Sequence, residues 1–208
     1  MKTTRATTAA SSPKLITTAS AGLAALLLCA GCASAPYEKL PASGESVSAT
    51  HQITTKTGAA TLVVTFAHPE KFTDLKSSMS DFDKDRASLL EEIRDYLVDQ
   101  APSYLGGGQA FAITFTDIDM AGDFEPTRGA SLQDVRIVRE IWPPRIALEF
   151  SLKNADGAVV ASGTRNLTDL NFMSTIPVTV FRDDRLRHEK MLLHNWLARE
   201  FTESRRAK

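Results

Sequence analysis

The chain's two cysteines, Cys29 and Cys32, both fall in "LLLCAGCASA", at the end of an apolar run that begins at Leu15. Lys2, Arg5 and Lys14 supply positive charge, and no acidic residue precedes Tyr37. The run is broken by Thr17, Thr18 and Ser20, so it is too short to remain as a membrane-spanning helix. Charge, apolar run and small residues in this order form an export signal, which removes the first residues from the folding problem.

Two peptidases fit the residues at the end of this run. "Cys29-Ala30-Gly31-Cys32" resembles a bacterial lipobox, in which small residues precede a cysteine that receives diacylglycerol. Ala30 and Gly31 suit that pattern, whereas Cys29 stands where leucine is usual. "Ala33-Ser34-Ala35" suits ordinary signal peptidase. The expectation is a lipoprotein-type signal over 1–31 with lipid attached to Cys32, several acyl chains on one residue making a stable anchor. Ala33 rather than aspartate after it favours the outer membrane, with the protein facing the periplasm. The alternative is cleavage after Ala35 and a soluble periplasmic or secreted chain. With lipid on Cys32 the folded part holds no thiol, so neither a disulfide nor a cysteine nucleophile is available.

Loss of three cations with the signal moves the formal net charge from −1 to −4. A mildly acidic chain argues against a nucleic-acid partner. Cations concentrate after Phe181, where they suit the end of a terminal helix and a basic tail over 204–208. Residues 32–58 are rich in Ser, Thr, Pro and Gly and read as a flexible tether with a reach of roughly 25–30 Å. What remains, 59–203, suits one domain with a single core.

Within it, Ala60 to Phe66 is β-branched and apolar, a strand that "His68-Pro69" ends. Asp81, Asp83 and Asp85 introduce a helix to about Gln100, its stripe drawn through Leu89, Ile93 and Leu97 with Leu90 and Ala101 beside it. Pro102 and Gly106 to Gly108 close it. Phe111 to Phe115, Asp134 to Val138, and Arg145 to Lys153 after the stiff corner Trp142-Pro143-Pro144 read as further strands. "Asn154-Ala155-Asp156-Gly157" is a hairpin turn into a strand over Ala158 to Asn166. A last helix from Arg187 to about Thr202 carries Leu193, Trp196, Leu197 and Phe201 on one face. This order gives an α+β fold: one mostly antiparallel sheet of four to five strands, with two helices on one face.

The chemistry-bearing residues are sparse. His188 and His194 look briefly like a zinc helix, but they lie six residues apart where four are needed, and Leu192 holds the ligand position. "Gly106-Gly107-Gly108" runs from helix to strand, the reverse of a phosphate loop, so it is a helix stop. Asp117, Asp119 and Asp123 form the one polar cluster of interest. The first two share a side of an extended strand, and Gly122 allows the third to turn back, so a hard cation such as calcium is conceivable there. The bland reading is a strand end whose aspartates bond loop amides. No Gly-x-Ser-x-Gly elbow occurs, and no cofactor signature is found.

The segments "TFAHPEKFTD", "TDIDMAGDFEP", "IWPPRIALEFSLKNADG", "LTDLNF" and "HEKMLLHNW", in this order, resemble the bacterial domain of unknown function 3016 family. The likeness spans Thr61 to Phe201 and implies an exported or lipid-anchored envelope protein. It carries no site residue, because the family has no established activity. The leading expectation is a non-enzymatic envelope lipoprotein that binds a protein partner or envelope component. The alternatives are a metal-dependent enzyme or calcium-binding domain using the aspartate cluster, and an auxiliary subunit of an envelope transporter.

Overall fold

The computed structural model describes residues 46–75, 82–124, 136–174 and 184–206. Cys29, Cys32, both cleavage points and the tether up to residue 45 lie outside them, as do Asp81, Asp134, Ala207 and Lys208. The described chain forms β1 (Val47–Thr55), β2 (Gly58–Phe66), two short 3-10 turns (Pro69–Lys71 and Thr73–Leu75) and α1 (Phe82–Tyr104). There follow β3 (Ala110–Asp119), β4 (Asp123–Phe124), β5 (Arg136–Ile137), β6 (Arg145–Lys153), β7 (Val159–Thr168) and α2 (Arg187–Arg206).

The sheet has five strands in the order β1-β2-β3-β6-β7, and β4 and β5 make a separate small ladder. β2 and β3 are parallel, joined through α1, and the other three pairings are antiparallel. The fold is therefore α+β with a mixed sheet. One face alternates inward through Leu62, Val64, Phe111, Ile113, Leu148 and Phe150, and both helices pack on it. Phe111 centres the aromatic core, with Trp196 and Phe201 of α2 at 6.3 and 5.1 Å.

Five expectations need correction. β1 lies inside the segment read as tether and pairs along its whole length with β2, Val47 to Phe66 and Thr55 to Gly58. As an edge strand with one face in water, it needs only Ile53 and Thr55 fully inside, so its Ser/Thr-rich composition resembled a linker. The strand expected over Asp134 to Val138 is described only at Arg136–Ile137 and joins β4, not the main sheet. There Gly122, at φ +86°, lets the backbone of Ile137 and Val138 approach where a Cβ would collide. α1 outruns Pro102 to Tyr104, since a proline in the last turn removes one donor while Leu105 N–H still bonds Ala101 O at 2.9 Å. Its buried stripe passes through Leu90 rather than Leu89. α2 likewise continues to Arg206, so the basic tail begins as helix.

Candidate functional site

β2 and β3 run parallel, and the chain leaves both at the same end of the sheet, where the 3-10 turns and the start of α2 also gather. A register shift between Phe115 and Asp117 breaks the alternation of β3. Beyond it Ile118 turns inward, and Asp117 and Asp119 share the other side. Asp117 accepts hydrogen bonds from Thr73 N–H at 2.6 Å and Thr73 Oγ1 at 2.8 Å. Asp123 is exposed on β4, past the Gly122 turn. Among the described residues, no group of three His, Cys, Asp or Glu is placed to hold a metal ion.

The tighter cluster at this end uses residues that the sequence did not single out. Asp74 accepts from the Met120 amide at 2.5 Å and from Arg136 Nη1 at 3.0 Å. The same Nη1 donates to Gly122 O at 2.9 Å, so Arg136 stitches β5 to the turn after β3. Glu189, in the first turn of α2 and only 2% exposed, accepts from Ala121 N–H at 2.7 Å. Lys190 beside it pairs with Asp184 at 2.5 Å. A buried glutamate at the third position of "Arg187-His188-Glu189" gives no periodic signal, because its partner amide lies 68 residues away. The only sequence hint was its place on the apolar side of an otherwise clear helix.

Burial pushes the Glu189 carboxyl above the ordinary glutamate range, with the Ala121 amide pulling the other way. Asp119 is also raised, first by desolvation and then by the Asp74 carboxylate, with Arg145 at 3.8 Å opposing. Burial lowers His188, helped by Arg187, and the imidazole packs edge-on to Phe172 with centroids 4.9 Å apart. Burial and Arg94 likewise lower His51, on the inner side of β1. Glu189 thus bonds a backbone amide, Asp119 faces the Arg145 guanidinium, and His188 packs on the Phe172 ring.

The opposite end of the sheet carries an open cleft of about 1210 Å³, with Thr54, Thr57, Tyr104, Gly107, Asn154 and Phe201 in its lining. Gly106 to Gly108 do follow the helix end, and Gly108 takes φ +77°. Gly106 and Gly107 also line the cleft: Gly107 N–H donates to Thr57 Oγ1 at 2.7 Å, and Gly106 N–H to Gln109 Oε1 at 2.8 Å. Tyr104 and Phe201 bring rings to 5.3 Å. The lining is largely neutral, with Lys56 and Asp156 its charges.

The sheet ends laterally on β1 and β7. Among the described residues, no strand pairs with the outer edge of either. β7 offers ten residues, with Ser162, Thr164 and Asn166 exposed along it. Beneath it Arg165 crosses to α2, making two bonds to Glu200 at 3.0 and 2.8 Å over the Phe150 ring.

The sequence profile of a family described as proteins of unknown function, DUF3016, matches residues 60–199. No curated protein and no solved structure matches the chain.

Proposed function

The chain belongs to DUF3016, a family of proteins of unknown function, and we propose that it is a non-catalytic binding domain held at the bacterial cell envelope by lipid on Cys32. The observation that carries the binding role is the outer edge of β7, ten residues of strand with no described strand alongside. A partner that adds a strand there gains main-chain hydrogen bonds along its length, and side chains set its specificity. The carboxylates support the same reading, since Asp117, Asp74 and Glu189 each spend an oxygen on a backbone amide. An anchored domain meets membrane-bound partners at raised effective concentration.

Two measurements test this. The mature protein extracted from bacterial membranes is expected to show the mass of a chain starting at Cys32 plus lipid; a bare chain starting at Pro36 removes the anchor. A photo-crosslinker at Thr164 is expected to capture an envelope protein, and the same group at Glu149, one strand inward, is not. Equal capture from both positions overturns strand addition at β7. Capture of an inner-membrane transport complex would identify the domain as an accessory subunit of it.

A further inference from the structure

Four large apolar side chains stand exposed among the described residues: Leu170 at 76%, Ile141 at 71%, Val159 at 58% and Met173 at 48%. The strand register places three of them at one end of the sheet. Arg145, the first residue of β6, pairs with Thr168, the last of β7. Ile141 sits in the turn that leads into β6, and Leu170 and Met173 in the turn that leaves β7. Val159 pairs with Lys153 at the opposite end, beside the cleft.

The chain enters the sheet from the end that carries those three. Val47 pairs with Phe66, Phe66 with Phe115 and Phe115 with Leu148. From that row β3 and β6 run on to the Asp119–Arg145 pair, in the direction from which β1 arrives. Residues 33–46 connect Cys32 to Val47, fourteen residues that span at most about 50 Å even when fully extended. Strands of this length make the sheet about 30 Å long, and the end bearing Val159 is the one opposite Val47, where the chain enters. Beside Ile141 stands half-buried Trp142, with the Arg139 guanidinium 5.8 Å from its ring centre. Indole and arginine together suit the headgroup layer, where a ring meets lipid and a charged tip stays wet.

We infer that Ile141, Leu170 and Met173 form a membrane-contact surface that seats the domain end-on against the bilayer. The surface rests on the lipid attachment proposed above. It differs from the β7 edge, and it turns the cleft and Val159 away from the lipid. Apolar side chains on turns at the tip of a sheet enter the interface shallowly, so the contact orients a chain already anchored rather than capturing it from solution.

The test uses the full chain produced in bacteria, with Ile141→Cys, Leu170→Cys or Val159→Cys as the single labelled thiol. Each variant carries an environment-sensitive fluorophore and is reconstituted into vesicles of phosphatidylethanolamine and phosphatidylglycerol, with the intact mass read on the same sample. Labels at 141 and 170 are expected to shift to the blue, and aqueous iodide to quench them about fivefold less than the label at 159. Substituting Ile141→Asp together with Leu170→Asp, both at exposed positions, is expected to abolish such protection of a label at Met173→Cys. Lipid in the mass with equal quenching at all sites overturns the docking and leaves the anchor standing. Protection without lipid in the mass would mean that these residues capture the domain from solution unaided, and overturns both the anchor and the orienting role. Labels shielded in native membranes but not in pure lipid vesicles show that a protein covers these residues, and overturn the docking.

Discussion

Glu189 and Ala121 are joined by a 2.7 Å hydrogen bond, the carboxylate in the first turn of α2 accepting from the amide just after β3. With Glu189 almost wholly buried, this bond fixes where the terminal helix begins against the end of the sheet. Glu189→Ala is expected to cost about 2 kcal/mol in chemical denaturation, because a buried amide then loses its acceptor. Glu189→Gln keeps an acceptor and is expected to cost less than half as much. Equal losses would mean the bond contributes little beyond packing.

The same residue sets a pH dependence of definite sign. Its folded-state value lies above the ordinary 4.5, burial being the main cause, so the folded chain holds this proton more tightly than the unfolded one. Its contribution is therefore full below about 4.5 and is lost as pH rises through the raised folded value. Glu189→Gln removes that loss. The stability of the variant relative to the parent is expected to improve as pH is raised from 4.5. Parallel pH profiles for the two chains would contradict it.

Arg165→Lys is expected to lower stability by about 1 kcal/mol, a modest figure because the pair is partly solvated. Lysine keeps the charge but loses both the two-point bond to Glu200 and the guanidinium over Phe150. The readout is the urea midpoint, and an unchanged midpoint would show that charge alone suffices.

At Gly122, φ is +86° and an added Cβ would lie 2.6 Å from Ile137 O. Gly122→Ala is expected to destabilise by about 2 kcal/mol, since left-handed strain and backbone collision act together. Amide exchange at β4 and β5 should rise more than in β3. Uniform exchange would place the damage elsewhere.

Asp117, Asp119 and Asp123 remain the residues to test for a cation. Asp117 is engaged by Thr73, and Asp123 is exposed on a separate ladder. Millimolar calcium is therefore expected to leave the thermal unfolding curve unchanged. A rise of about 5 °C or more at 100-fold excess over the dissociation constant, the size that such linkage produces, would restore the metal reading.

β1 shows where a reading of periodicity stops. A chain beginning at Ala59, the boundary read from the sequence, lacks the strand that covers the edge of β2. It is expected to aggregate, whereas one beginning at residue 46 remains soluble and unfolds cooperatively. Nine residues such as "VSATHQITT" bury little, so neither hydrophobicity nor alternation separates them from a linker. β2, β6 and α2 were legible because the core imposes period two or 3.6 on large apolar side chains. Phe150 and Leu193 carry that pattern and are buried as expected, and Leu62 in β2 is buried with them.

The polar end of the sheet was legible only in part. Asp117 and Asp119 are visible as a cluster because they are neighbours in the chain. Asp74, Arg136 and Glu189 are not, since 62 residues separate the first two and their meeting depends on the parallel crossover. Local spacing within the chain sufficed for the fold class, the two helices and the hairpin at Gly157. The partners of the buried charges, the place of β1 and the gathering of Ile141, Leu170 and Met173 at one end came from packing. Periodicity reports which face of an element avoids water, while the pairing of distant elements is set by the shared core they must close together.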